Sequence, residues 1–227
     1  MTLIAALPFL PDAVIFDMDG LMIDSERVSI LCWTQAAREL QLPIEDGFWL
    51  RMVGLGDRDC ERLLLQRIDA TQVAALFARC HDLYEAQTQA GLPLRPGILE
   101  LLQLLHEHAI PRAVATSTRQ PRASRKLHAA GLLPFFEVVV TSSDVSQPKP
   151  APDIYLLAAH KLGKDPARCL ALEDSPAGIR AAVGAGMTAI QVPDLVHPDD
   201  DLRALGHRIV DSLLDARSLL LPLLPAR

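Results

Sequence analysis

Two carboxylates stand two residues apart where an apolar run near the start of the chain ends. The run is Val14-Ile15-Phe16, and Asp17, Met18, Asp19 and Gly20 follow it. Residues i and i+2 of a strand point to the same side, so the two acids would repel each other unless a cation lay between them. Mg²⁺ prefers oxygen ligands and is the simplest such cation. The alternative is a solvated turn, because Asp and Gly are common turn residues.

Polar side chains recur where three further apolar runs end. They are Thr116, Ser117 and Thr118 after 112–116, Lys149 after 137–141, and Glu173 with Asp174 after 169–172. Thr116 could instead cap a helix, and Lys149 could be an exposed charge between prolines. Glu173 and Asp174 could cap the next helix. Because ligands bind at the carboxyl ends of parallel strands, four polar groups at one predicted edge favour a binding site.

Strands and helices alternate regularly along the second part of the chain. The pattern predicts strands at 13–17, 112–116, 137–141, 169–172 and 188–192, and helices at 97–108, 121–130, 152–162 and 176–185. Such alternation is typical of a parallel sheet covered by helices on both faces. The predicted fold class is therefore α/β, a Rossmann-like doubly wound sheet.

One segment does not follow this alternation. Between 24 and 91 the apolar spacing predicts helices at 25–41, 58–68 and 71–89 and no strand. The segment is interpreted as an inserted helical cap domain, 24–91, within a core domain formed by 1–23 and 92–227.

Composition excludes several classes of function. The net charge of −6 and the pI near 5.6 argue against a nucleic-acid partner. The four cysteines have no zinc-ligand spacing and indicate a reduced, cytoplasmic protein. Residues 1–10 lack the basic start of a signal peptide, and the Leu-rich tail, 213–224, is too short and interrupted to span a membrane. We expect a final docked helix there and a surface compatible with a monomer.

The four polar groups resemble, in order, the motifs of the haloacid dehalogenase-like phosphohydrolases. The matching segments are Asp17-Met18-Asp19-Gly20, Ala115-Thr116-Ser117, Lys149-Pro150-Ala151-Pro152-Asp153 and Leu172-Glu173-Asp174-Ser175. The insertion after the first motif matches the subgroup that contains β-phosphoglucomutase and small phosphatases. The resemblance covers nearly the whole chain.

The resemblance implies a role for each of these residues. Asp17 would be the nucleophile that forms an aspartyl-phosphate, and Asp19 would be the general acid and base. Mg²⁺ would be bound by the Asp17 carboxylate, the Asp19 carbonyl and Asp174. Glu173 would be a weaker ligand or a partner of the ligands. The Thr116 hydroxyl, the Ser117 amide and Lys149 would hold the phosphoryl oxygens.

The same resemblance distinguishes sibling activities. A dehalogenase needs no acid at Asp19, and a phosphonate hydrolase needs a cap lysine, which 24–91 lacks. A hexose phosphate mutase is the main rival. Its cap histidine aligns with Ser29, its cap lysine falls near Cys80, and its loop arginine aligns with Asp57 or, after a shift, Arg58. Loss of two of these three groups favours a phosphatase that hydrolyses a small sugar phosphate or nucleotide-like monophosphate.

The substrate is predicted to contact the cap near its glycine-containing loop, 53–57. The candidate residues are Arg51, Gly54 and Arg58, and the alternative for each arginine is a solvated helix charge. A non-enzymatic binding module on the same scaffold would normally have lost Asp17, Lys149 or Asp174, and all three are present.

Overall fold

The protein is described by a computed structural model that covers residues 6–225. Six parallel strands form one sheet in the order β3-β2-β1-β4-β5-β6. The strands are β1 Ala13–Phe16, β2 Arg112–Thr116, β3 Val138–Thr141, β4 Cys169–Glu173, β5 Thr188–Gln191 and β6 Arg208–Ile209. The first strand thus lies in the middle of the sheet, and its two neighbours come from distant parts of the sequence.

Nine α-helices are found within 6–225. They are α1 Ser25–Glu39, α2 Asp57–Leu64, α3 Ala70–Ala90, α4 Ile98–Glu107, α5 Arg122–Ala129, α6 Asp153–Leu162, α7 Pro176–Gly184, α8 Asp200–Arg203 and α9 Leu213–Leu220. Each predicted strand and helix is present, with ends that differ by a few residues. The predicted α/β fold class is confirmed. None of these helices combines the length and apolar character needed to cross a lipid bilayer.

Both faces of the sheet are buried because its central strands carry apolar side chains on both sides. Alternate residues such as Ile15, Ala113 and Ala171 share one core with helices α6 and α7. Their strand neighbours, such as Phe16 and Val114, point to the opposite face and are equally inaccessible to solvent. Continuous apolar strands of this kind are what a parallel sheet between two helical layers requires.

The chain divides into two compact units. One contains the described residues up to Ile23 and from Leu94 onward, and the other is Asp24–Pro93. The second boundary lies two residues after the predicted one. Ile23 and Leu94 form an antiparallel bridge, and the Asp24 amide donates to the Pro93 carbonyl at 2.9 Å. The chain therefore leaves the first unit and returns to it at adjacent positions.

The second unit is helical and has its own aromatic core. Helix α1 packs along α3. The Trp33 ring stacks on Trp49 with centroids 5.9 Å apart and meets Phe77 edge-on at 4.9 Å. A 3₁₀ helix, Asp46–Met52, supplies Trp49. No strand occurs between 24 and 91, as the apolar spacing predicts.

Two features near the end of the chain differ from the sequence prediction. Strand β6 and the short helix α8 were not predicted, because two to four residues are too few to show a period. The docked final helix is present, but α9 gives way to a 3₁₀ turn, Leu221–Leu223, at Pro222. The signal-peptide prediction concerns 1–10, of which residues 1–5 lie outside the described part. All four cysteines are buried thiols.

Gly97, before α4, allows a test of how tightly α4 packs on α9. Its φ is +89°, and a Cβ there would lie 2.9 Å from the backbone nitrogen of Leu214. Gly131 has a similar φ of +68° but no atom within 4 Å of such a Cβ. We expect Gly131→Ala to cost about 1 kcal/mol through backbone strain and Gly97→Ala about 2–4 kcal/mol. Urea unfolding measures both, and equal losses would show that the Leu214 contact relaxes.

Candidate active site

The sheet brings the ends of its three central strands together. In the strand register, Phe16 of β1 pairs with Val114 of β2 on one side and with Leu172 of β4 on the other. Asp17 directly follows β1 and therefore lies between Thr116 and Glu173, the last residues of the neighbouring strands. This is the edge where ligands bind in open α/β sheets.

Lys149 links the acids of this edge. Its ammonium donates to Asp17 Oδ1 and to Glu173 Oε1, both at 2.6 Å, and to the Ala115 carbonyl at 2.9 Å. The side chain is only 4% exposed. An ammonium has three donors and no acceptor, so these three bonds satisfy it completely. The alternative prediction, that Lys149 is an exposed charge between prolines, is therefore wrong.

Glu173 is fully buried, and both of its oxygens are used by the protein. Oε1 accepts from Lys149 and from the Tyr155 hydroxyl at 2.8 Å. Oε2 accepts from the Ser175 amide and hydroxyl and from the Asp174 amide, at 3.0–3.1 Å. Gly178 must lack a side chain, because a Cβ there would lie 1.7 Å from Glu173 Oε1. These contacts favour a role in which Glu173 orders the loop that follows β4 over one in which it binds a metal directly.

The residues that could hold a metal meet at the same point. Ligand oxygens of Asp17, Glu173 and Asp174 all lie within 4.8 Å of one another. Gly20 follows the first motif with a φ of +83°, and a Cβ there would lie 2.2 Å from Asp174 Oδ2. The loop after β1 can therefore approach Asp174 only because residue 20 is glycine. This oxygen-only set suits a hard cation such as Mg²⁺.

The charges at this edge also suit a divalent cation. Asp17, Asp19, Glu173 and Asp174 contribute four carboxylates, whereas Lys126 and Lys149 contribute two ammonium groups, so full ionisation leaves a charge of −2. Burial raises the pKa of the Asp17 carboxyl above its ordinary value; Lys149 opposes this, and Glu173 and Asp19 add repulsion. Burial disfavours the Lys149 ammonium, but the charges of Asp17 and Glu173 outweigh it and raise its pKa. A divalent cation would offset the remaining repulsion and keep Asp17 ionised.

Asp19 has a second lysine as its partner. The Lys126 ammonium donates to Asp19 Oδ1 at 2.6 Å, and the Thr118 hydroxyl donates to Oδ2 at 2.6 Å. Sequence reasoning did not assign Lys126 to the site. The available signal was its position on α5, where Ala123, Lys126 and Leu127 share the buried face.

The helix-cap alternatives are resolved by the structure. Thr116 does not cap α5, whose N-cap is Pro121; its hydroxyl accepts from the Thr118 amide at 3.1 Å. Helix α7 is capped by Ser175, which accepts from the Gly178 amide at 3.1 Å, and not by Glu173 or Asp174. Ser117 is exposed beside Thr116, and its carbonyl accepts from the Ser142 hydroxyl at 2.7 Å.

The three candidate cap residues belong to the helical unit. Arg51 ends the 3₁₀ helix, with its guanidinium 5.4 Å from the centre of the Phe48 ring. Gly54 lies in the following turn with a φ of +73°, and Arg58 lies in the first turn of α2. All three are exposed. Their contact with substrate stays a prediction.

A parallel α/β sheet with paired acids, a buried lysine and polar strand ends defines a phosphohydrolase-type site. A family model described as haloacid dehalogenase-like hydrolase matches residues 11–186. The chain belongs to this family. The predictions of the family, of its β-phosphoglucomutase and phosphatase subgroup, and of a phosphoric monoester hydrolase are confirmed.

Individual relatives include both phosphatases and a mutase. A phosphorylated carbohydrates phosphatase from Thermotoga maritima is 31% identical over 86% of this chain and 89% of that protein. A β-phosphoglucomutase from Bacillus subtilis is 32% identical over 79% and 82%. A solved structure of a HAD family hydrolase from Deinococcus radiodurans R1, with bound phosphate and sodium, superposes with a TM-score of 0.80 and 30% identity over 96% of this chain and 99% of that chain. Because this chain is about equally identical to the phosphatase and to the mutase, individual residues must distinguish the two activities.

Proposed function

We propose that this protein is a cytoplasmic, Mg²⁺-dependent phosphatase that hydrolyses a small phosphorylated metabolite through an aspartyl-phosphate on Asp17. The observation that carries the proposal is the division of two neighbouring acids between two buried lysines. Asp17 is bound to Lys149 and Asp19 to Lys126, each at 2.6 Å. Two acids with separate partners can perform separate tasks, as nucleophile and as proton carrier.

In the first half-reaction, a carboxylate oxygen of Asp17 attacks phosphorus and the bond to the leaving oxygen breaks. Asp19 gives its proton to that oxygen, so an alcohol departs. Lys149 fixes Asp17 through Oδ1, which leaves Oδ2 as the attacking oxygen. The Thr116 hydroxyl and the Ser117 amide bind the phosphoryl oxygens at the end of β2, and the charge of Lys149 offsets theirs.

In the second half-reaction, water attacks the phosphorus of the aspartyl-phosphate and the bond to Asp17 breaks. Asp19, now ionised, accepts a proton from the water. The products are inorganic phosphate and the original carboxylate. Asp19 thus regains its proton, which completes the cycle.

The metal would be held by the carboxylates of Asp17 and Asp174 and by the backbone carbonyl of Asp19. Glu173 would support this set through its bonds to the Asp174 amide and to Lys149. When bound, Mg²⁺ would reduce the repulsion between the phosphate and the surrounding acids. The buried, acidic cluster supports this proposal because it carries more negative than positive charge.

Hydrolysis is favoured over mutase chemistry by the cap. A mutase must retain its bisphosphate intermediate while that intermediate reorients in the site. This requires additional protein groups that bind phosphate. Cys80, near which the mutase lysine aligns, is a buried thiol within the helical unit. Ser29, aligned with the histidine, lies half-buried in α1. Neither side chain carries positive charge, which supports release of phosphate to water.

The substrate class that these features and the relatives support is a phosphorylated carbohydrate or a related monophosphate. The T. maritima relative is a phosphatase of phosphorylated carbohydrates. We propose that Arg51, Gly54 and Arg58 of the helical unit contact the leaving group. Arginine side chains suit the hydroxyl and anionic groups of such molecules.

Replacement of the nucleophile tests the mechanism. Asp17→Asn should lower turnover of p-nitrophenyl phosphate by at least about 10³-fold, because an amide cannot form the acyl phosphate. Asp201→Asn, the same change at an exposed position of α8, should retain full activity. Turnover and circular dichroism of both variants are measured. Wild-type-like turnover by Asp17→Asn would contradict the mechanism.

Metal removal tests the cofactor. Treatment with EDTA should abolish hydrolysis, and added Mg²⁺ should restore it. Asp174→Asn should raise the Mg²⁺ concentration that gives half-maximal rate by about 10–100-fold, because one charged ligand is lost. Asp211→Asn, at an exposed position, should leave this concentration unchanged. Full activity in EDTA would exclude the metal requirement.

The products separate a phosphatase from a mutase. With hexose 1-phosphates, hexose 6-phosphates and nucleoside monophosphates, we expect inorganic phosphate and the free alcohol in equal amounts. Phosphorus NMR and a phosphate assay follow both products, and the Asp17→Asn protein controls for contaminating phosphatases. Isomerisation of a hexose phosphate without phosphate release would establish the mutase instead.

A further inference from the structure

Lys126 is a buried charge on a helix face that otherwise packs into the core. It lies on α5 with Ala123 and Leu127, and all three side chains are buried. Burial of an ammonium is costly unless a carboxylate compensates for the lost water. The bond to Asp19 Oδ1 provides that compensation. The helix therefore places this lysine against a carboxylate that the proposed mechanism uses.

The two oxygens of Asp19 have partners of different chemical character. Oδ1 meets the Lys126 ammonium, which can only donate hydrogen bonds. Oδ2 meets the Thr118 hydroxyl, which can donate or accept. Thr118 is itself held by the bond from its amide to the Thr116 hydroxyl at 3.1 Å. Asp19 is thus held by hydrogen bonds from two elements, α5 and the loop after β2.

This asymmetry determines which oxygen can carry a proton. The Lys126 ammonium can only donate, and the carbonyl oxygen of a carboxyl group accepts a hydrogen bond better than its hydroxyl oxygen, so Lys126 favours Oδ1 as the oxygen without the proton. A proton on Oδ2 is compatible with Thr118, because its hydroxyl can rotate and accept. A fixed carboxyl plane also avoids the loss of rate that a small misplacement of a reacting group causes.

We propose that Lys126 is a positioning residue that makes Oδ2 the proton-carrying oxygen of Asp19. The inference rests on the proposed phosphatase mechanism and deepens it. In the first half-reaction the proton on Oδ2 moves to the leaving oxygen as the phosphorus–oxygen bond breaks. In the second, Oδ2 takes a proton from water as the water oxygen bonds to phosphorus. Lys126 takes no part in either transfer and remains on Oδ1.

Two substrates with different leaving groups distinguish this role from a structural one. p-Nitrophenolate leaves as a stable anion and needs no proton, whereas the alkoxide of a sugar phosphate does. Lys126→Met should lower kcat/KM for the sugar phosphate turned over fastest in the panel by about 10–100-fold. For p-nitrophenyl phosphate, kcat/KM should change less than about threefold, because it reports the steps up to formation of the aspartyl-phosphate.

Three variants complete the experiment. Lys161→Met, the same change at an exposed position of α6, should leave both substrates unaffected. Lys126→Arg should recover part of the lost rate because it restores a cation beside Oδ1. Thr118→Val removes the contact at Oδ2 without adding or removing charge and should give the same selective loss, so the proposal stays testable if Lys126→Met does not fold.

The outcomes separate this proposal from the mechanism on which it rests. Equal losses with the two substrates in both Lys126→Met and Thr118→Val would overturn the positioning role while the phosphatase mechanism stands. Asp19→Asn serves as the reference, because it removes the proton carrier itself and should show the largest difference between the substrates. Undiminished turnover in Asp17→Asn would instead reject the mechanism.

Discussion

The site depends on the two hydrogen bonds that the Lys149 ammonium donates to Asp17 and Glu173. A fully desolvated ammonium is unfavourable by itself, and two buried carboxylates beside each other are equally so. Together they form a satisfied cluster, with Lys149 between the end of β1 and the end of β4. The loop that bears Asp174 is ordered by the second oxygen of Glu173, so the position of this candidate metal ligand follows from the same cluster.

The two lysines of the site act on different acids and impose different constraints. Lys149 bonds to Asp17 and Glu173, at the ends of β1 and β4, whereas Lys126 bonds to Asp19 from a helix outside the sheet. With only four lysines in the chain, half of them lie buried beside carboxylates. Local charge pairing of this kind explains how an acidic protein of net charge −6 can keep two ammonium groups buried.

The sequence predicted those features that depend on local patterns. The apolar run before Asp17 and the alternation of strands and helices were sufficient to predict the sheet and the edge at which its polar residues lie. The short strand β6 was missed because two residues show no periodicity. Lys126 and Tyr155 were missed for another reason: their partners, Asp19 and Glu173, are distant in sequence. The α5 face with Lys126 marks a buried charge but does not identify the carboxylate that it meets.

The bridge between Ile23 and Leu94 has a consequence for how proteins of this architecture diversify. Seventy residues, Asp24–Pro93, enter and leave the core through one pair of adjacent backbone positions. Any segment whose ends lie equally close could be exchanged at this junction without shifting the register of a single strand. Changes confined to the insertion therefore need not move the acids at the ends of β1 and β4 or the lysines bonded to them. The junction thus allows the insertion and the acid–lysine cluster to vary independently.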